Sequence, residues 1–156
     1  MTADENKEKK KVSARPQHFS VPETPDGEYR LIGTQCKKCG DSFYPPRVVC
    51  ANCGAMEMDS VTLSDKGVVY SYTIVYNTYP MMLLASKVPF ISAQIQLMPE
   101  KAWLLAWLRY CDIDKVKVGM EVELTPFTFS EDPETIQLGP AFRPVDRSVW
   151  TGKGGD

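Results

Sequence analysis

Four of the five cysteines fall into two matched pairs, Cys36-Lys-Lys-Cys39 and Cys50-Ala-Asn-Cys53, and each pair is followed by a glycine, Gly40 or Gly54. The spacing is C-x2-C-x10-C-x2-C. Two residues between thiols let one tight turn aim both sulfurs at a single ion. A glycine directly after the second cysteine suits a turn that needs positive φ, where a Cβ would clash. Two such knuckles close a tetrahedral four-sulfur site, which zinc accepts and structural sites use. Iron fits the same donors and is the minor alternative. A catalytic zinc keeps one position open for water. Four thiolates fill all of them, so the pattern predicts structural zinc held by Cys36, Cys39, Cys50 and Cys53.

The remaining reactive side chains do not assemble into catalytic machinery. The one histidine, His18, sits in a proline-rich arm, away from any expected core. Cys111 closes an apolar run in Tyr110-Cys111-Asp112 and reads as a small core residue, not a nucleophile. Asp112 and Asp114 fit a turn after a strand. Neither a dinucleotide fingerprint nor a phosphate loop occurs. The chain is therefore not expected to be an enzyme on its own.

Two segments invite binding roles. Tyr44, Pro45, Pro46 and Arg47 lie between the knuckles, flanked by Arg30, Lys37 and Lys38. They form either a rigid turn with solvated charges or a cationic ledge for a phosphate-bearing ligand. Residues 79–89 are apolar with one charge, and include Met81, Met82, Leu83 and Leu84. They either fold over a barrel end or meet a partner or apolar ligand, since adjacent methionines make adaptable contacts.

The elements that must position these residues are strands. Residues 1–15 read as a solvated tail, and Pro16, Pro22, Pro25 and Gly27 bar regular structure from the following arm. Phe19 and Val21 are candidates to pin that arm to a surface. From residue 56 the pattern alternates. Val68, Tyr70, Tyr72, Ile74 and Tyr76 share one face of a predicted strand. Ile91, Ala93, Ile95 and Leu97 share one face of the next. Residues 103–110 are more uniformly apolar and predict a strand buried on both faces. Met120, Val122 and Leu124 alternate with Glu121 and Glu123. Short strands separated by Gly and Pro suggest a small closed barrel, which removes exposed edges. The expected division is a flexible tail and arm over 1–28, a zinc ribbon over 29–55, a barrel over 56–145 and a tail over 146–156.

At 156 residues, with 43% hydrophobic and 24% charged residues, the chain has the composition of a packed domain. No apolar run approaches the ~20 residues that cross a bilayer, and the polar start lacks the apolar stretch of a secretion signal. A cytoplasmic protein is expected, with its cysteines as metal ligands or free thiols.

The order of motifs resembles a known family. Residues 43–47, 67–73, 89–91, 119–124 and 142–144 match the OB-fold proteins with a rubredoxin-like zinc ribbon that accompany acyl-CoA enzymes, especially thiolases. The likeness spans about residues 29–145. It implies a mostly β chain, an N-terminal zinc ribbon followed by a five-stranded Greek-key barrel. It also implies a non-catalytic subunit beside a thiolase-fold partner in a two-plus-two assembly, with coenzyme A or acyl-CoA as ligand of the complex. Residues 44–47 and 81–84 are then the candidate coenzyme A or partner contacts. Met98-Pro99-Glu100-Lys101 departs from the family, where relatives often carry an acidic residue and glycine.

Two other functions compete. OB barrels with zinc ribbons also serve as stand-alone nucleic-acid modules, and iron at four cysteines would make an electron carrier. A nucleic-acid groove needs basic residues and exposed aromatics, whereas the net charge is -2. Single-stranded DNA or RNA is accordingly expected to bind weakly at physiological salt. An anisotropy titration showing tight, steeply salt-dependent binding that survives deletion of residues 1–15 would reverse that ranking.

Overall fold

Alternation decides which side of each strand is buried. In the computed structural model, which describes residues 9–24, 26–79 and 87–151, Ile91, Ala93, Ile95 and Leu97 are all 1% exposed or less. The elements are β1 (Lys10–Ser13), β2 (Phe19–Ser20), β3 (Arg30–Cys36), β4 (Ser42–Phe43), β5 (Met58–Leu63), β6 (Lys66–Val75), β7 (Phe90–Leu97), β8 (Trp103–Leu108), β9 (Glu121–Glu131) and β10 (Thr135–Pro144). Among the described residues there is no α-helix. A short 3-10 turn, Arg147–Val149, follows the last strand, capped by the Asp146 carboxylate, which accepts from the Ser148 N–H.

Strands β6, β7 and β8 form an antiparallel meander. The chain then crosses to β9, which pairs antiparallel with both β6 and β10. Parallel contact between β10 and β8, at Phe142 and Leu108, closes the ring. The result is a closed five-stranded barrel in the order β6-β7-β8-β10-β9. Its interior holds Val69, Ile91, Ile95, Leu97, Val122 and Phe142, each 1% exposed or less. In the ribbon, β3 is the central strand and pairs with β2, β4 and β5. Phe19, Leu31 and Leu63 of this smaller sheet join the barrel residues in one hydrophobic cluster, so Phe19 does pin the arm.

Three expectations need correction. Residues 10–13, expected in a solvated tail, form β1, which runs parallel to β10 from Lys10 opposite Thr135 to Ser13 opposite Leu138. The first half of β10 lies beyond the reach of β8, and β1 takes up that edge. An edge strand need not be apolar, so its lysines hid it. In β6, register slips between Val69 and Ser71, leaving Tyr70 in a bulge. A bulge shifts the pleat by one residue. Val69 lies opposite buried Ile95, whereas beyond the bulge Tyr72 and Ile74 lie opposite buried Ala93 and Ile91. The strict alternation that put Tyr70 and Tyr72 on one face therefore fails there. Finally, β8 is buried on one face only. Leu104, Ala106 and Leu108 are inside, while Leu105 is 74% exposed and Trp103 38%.

Gly67 sits where β6 passes close against β7. A Cβ there would meet the Gln96 carbonyl oxygen at 2.6 Å and Ile95 Cγ2 at 2.8 Å. Gly67→Ala is expected to destabilise the barrel by about 1–3 kcal/mol, the usual range for overpacking. A lowered urea midpoint would register this. An unchanged midpoint would mean that β6 can move away from β7 without loss.

Candidate metal centre

Strand β3 ends on Cys36 and delivers the first sulfur. The chain then turns, and the Gly40 N–H donates to the Cys36 carbonyl at 2.9 Å. The second knuckle repeats this bond, with the Gly54 N–H donating to the Cys50 carbonyl at 3.0 Å. Both glycines adopt the left-handed conformation expected of them, at φ 80° and 71°. The Cys36 N–H donates to the Asp41 carbonyl and the Cys50 N–H to the Ala55 carbonyl, fastening each loop behind its thiols.

All four sulfurs lie within 4.8 Å of one another. Cys36 and Cys53 approach to 3.6 Å, and Cys39 and Cys50 to 3.5 Å. These separations are far longer than a disulfide, at ~2.05 Å. They fit the edge of a sulfur tetrahedron around zinc, about 3.8 Å for bonds of ~2.3 Å. Cys36 and Cys50 are buried beneath the exposed Cys39 and Cys53. The thiols hold their protons unequally. The Cys39 N–H, pointed at the Cys36 sulfur, lowers that thiol to about 7 against the opposing effect of burial. At Cys39 the Asp41 N–H acts in the same direction, but desolvation and the neighbouring thiols prevail and push it up to about 12. Four thiolates this close repel one another, and a dication is what lets them ionise together. The donor set, spacing and turns all fit zinc in a structural role.

The ledge residues adjoin this centre. Tyr44 and Pro45 are joined by a cis peptide bond, and the Tyr44 ring packs partly buried on the core. Burial raises the Tyr44 hydroxyl above its ordinary value against the pull of the Arg15 charge, so it remains a hydrogen-bond donor. The Arg47 guanidinium lies 5.5 Å from the Phe43 ring centre, and its backbone N–H donates to Thr34 Oγ1 at 2.9 Å. Two of the flanking cations are paired, Lys37 with Asp59 at 3.0 Å and Arg30 with Glu28 at 4.0 Å. Tyr44 and Arg47 line a cleft of about 470 Å³ with Glu100, Lys101 and Trp103 across from them. Met81, Met82, Leu83 and Leu84 lie outside the described residues.

Sequence reasoning noted Glu100 only as part of an altered hairpin. Its Oε1 accepts from the Ser64 N–H at 3.1 Å and ties that hairpin to the link between β5 and β6. Its Oε2 is buried without a partner among the described residues. The signal was an acidic residue in a turn, which commonly means only solvation. His18 and Cys111 stand in unrelated settings. The His18 ring meets Tyr44 edge-on at 6.2 Å. Cys111 is buried, and burial, then the Asp112 charge, raise its thiol to about 11. A thiol so raised is a poor nucleophile at neutral pH.

Comparison with known proteins gives concordant matches. A family model described as ChsH2, rubredoxin-like zinc ribbon domain, matches residues 26–59. A second, ChsH2, C-terminal OB-fold domain, matches residues 60–125. The chain is 32% identical over 121 residues to a DUF35 domain-containing scaffold protein of Methanocaldococcus jannaschii, covering 76% of this chain and 84% of that one. It is 34% identical over 131 residues to the benzoylsuccinyl-CoA thiolase subunit BbsA of Geobacter metallireducens, covering 80% and 85%. Among solved structures, the Ltp2-ChsH2(DUF35) aldolase aligns with a TM-score of 0.60 at 32% identity, over 75% of this chain and 86% of that chain.

The metal makes a separable prediction. Cys39→Ser is expected to lower bound zinc from about one equivalent to well below half and to open amide exchange across residues 36–55, because metal binding supplies much of the folding free energy of such modules. Cys111→Ala should keep its zinc. Elemental analysis and hydrogen exchange read both, and a metal-free wild-type chain with a protected ribbon would contradict the first.

Proposed function

The chain belongs to the DUF35 scaffold family, with its ChsH2-type zinc ribbon and OB-fold, and on that footing we propose that it is a non-catalytic small subunit of an acyl-CoA thiolase-type complex. The observation that carries the reading is the uncovered apolar outer face of the barrel. Leu105 is 74% exposed and Tyr70 58%. The Trp103 ring meets Tyr70 at 4.6 Å in a T-shaped pair. Such a face next to a polar cleft suits a protein partner better than water. The names of relatives support the kind of partner, since BbsA is a thiolase subunit and the ChsH2 structure is an aldolase complex with Ltp2.

In this reading a thiolase-fold chain supplies the nucleophile and base that thiolysis requires, and a two-plus-two assembly is the natural symmetric form. Zinc stiffens the ribbon so that residues 44–47 hold a fixed place at the interface. There Tyr44, Pro45, Pro46 and Arg47 contact the partner or a coenzyme A phosphate, and residues 81–84 cover the acyl group. The proposed functional units are the arm over 1–28, the ribbon over 29–55, the barrel over 56–145 and the tail over 146–156, with β2 and β5 completing the ribbon's sheet from either side. No helix among the described residues is long and apolar enough to cross a membrane, and the proposed setting is the cytoplasm.

Co-expression with a thiolase-like chain encoded nearby tests the subunit role. The two are expected to co-purify and turn over an acyl-CoA, and this chain alone should show no thiolysis. Leu105→Glu should weaken co-purification while leaving zinc content unchanged. Full activity of the thiolase-like chain without this one would refute the proposal.

A further inference from the structure

Arg109, just past β8, is held in place from several sides. Its backbone N–H donates to the Phe142 carbonyl at 2.7 Å, and its Nη1 donates to the Pro126 carbonyl. The guanidinium lies over the Trp107 ring at 5.4 Å and the Tyr110 ring at 4.6 Å. Tyr110 is in turn stacked on Trp150 at 5.6 Å. To reach this stack Tyr110 adopts φ 60°, a left-handed conformation that is costly for a residue with a bulky side chain. Strain of this kind persists only where the surroundings enforce it. Here they fix one guanidinium, and among the described residues no carboxylate pairs with it.

Beside Arg109 is a cleft of about 270 Å³. Lys11 from β1 and Lys87 also line it, together with Thr125 and Thr128, and no carboxylate among the described residues does. Three cations around one cleft, with no ion-pair partner among the described residues, in a chain of net charge -2, concentrate positive potential there. A guanidinium fixed in its rotamer offers a planar fork matched to phosphate oxygens, and lysines add point charge. Trp107 and Phe127, 5.6 Å apart edge to face, give the cleft an apolar wall.

We propose that this cleft binds a phosphate-bearing organic anion, with Arg109 as the primary contact and Lys11 and Lys87 as supporting charges. The apolar wall favours an organic phosphate over the free ion. The site is separate from the ledge at residues 44–47 and is built from this chain alone, so it does not rest on the subunit proposal. Coenzyme A and a free nucleoside diphosphate share the relevant chemistry, a diphosphate ester.

Calorimetry on the zinc-loaded full chain, with ADP, coenzyme A, inorganic pyrophosphate and adenosine, provides the test. ADP and coenzyme A are expected to bind, pyrophosphate more weakly and adenosine not measurably, with affinity falling as salt rises. Whichever of the first two binds more tightly identifies the source. Arg109→Lys keeps the charge but loses the fork and the stacking, and should weaken binding about tenfold or more. The Lys11→Ala/Lys87→Ala double variant removes only exposed side chains and should weaken it similarly. Absence of binding of every phosphate by the folded wild-type chain, or binding that neither variant weakens, would overturn the proposal. Neither result bears on co-purification with a thiolase-like chain.

Discussion

Mutual repulsion among four thiolates is the constraint on which the N-terminal third of the structure depends. Between residues 37 and 57, Cys50 is the only buried hydrophobic residue. That stretch has almost no apolar surface to remove from water, so the hydrophobic effect cannot offset the entropy of ordering its turns. A dication among the sulfurs replaces a core. Without it, thiols such as Cys39 would keep their protons, and no bonds to a shared ion would hold the two knuckles together.

The consequence extends beyond the ribbon because one strand belongs to both regions. Strand β3 ends at Cys36 in the sulfur cluster, while Leu31 near its start is fully buried in the hydrophobic cluster shared with the barrel. Phe19 and Leu63 flank Leu31 in register on the neighbouring strands. Geometry imposed at the metal therefore reaches the barrel along the seven-residue β3 and along β5, paired with it from Met58 opposite Cys36 to Leu63 opposite Leu31. This is how a module without a core of its own can present its turn and exposed cations at a fixed position.

How much of this was legible follows from how local each interaction is. The metal site could be read because its ligands come in two short turns whose chemistry is written in adjacent residues. Strand β7 could be read because each of its inward residues packs on the interior without interruption. The β6 bulge could not, since a bulge depends on the partner strand and leaves no mark in the alternation of β6 itself. The outer face of β8 was misread for a related reason. Trp103, Leu105 and Trp107 look like core residues by type, and only the closed ring shows which side of β8 is outside. Least legible was the Arg109 cleft. Residues 11, 87 and 109 come from separate elements, and each alone reads as an ordinary surface cation.

The position of that cleft follows from how the barrel closes. Antiparallel ladders of several pairs join β6 to β7, β7 to β8 and β9 to β10. Strands β8 and β10 meet in a single register pair, Leu108 with Phe142, supported by the bond from the Arg109 N–H to the Phe142 carbonyl. Below that point β10 pairs with β1 instead, so the wall has a seam where ladder bonds give way to side chains. Polar backbone at a seam still needs partners. From the seam the Arg109 guanidinium reaches β9, where it donates to the Pro126 carbonyl, and the Trp107 and Phe127 rings meet edge to face at 5.6 Å. Charged and aromatic side chains can thus sit beside this seam without displacing ladder bonds between β8 and β10. The same sparse closure that makes the ring possible with five strands leaves room there for binding chemistry.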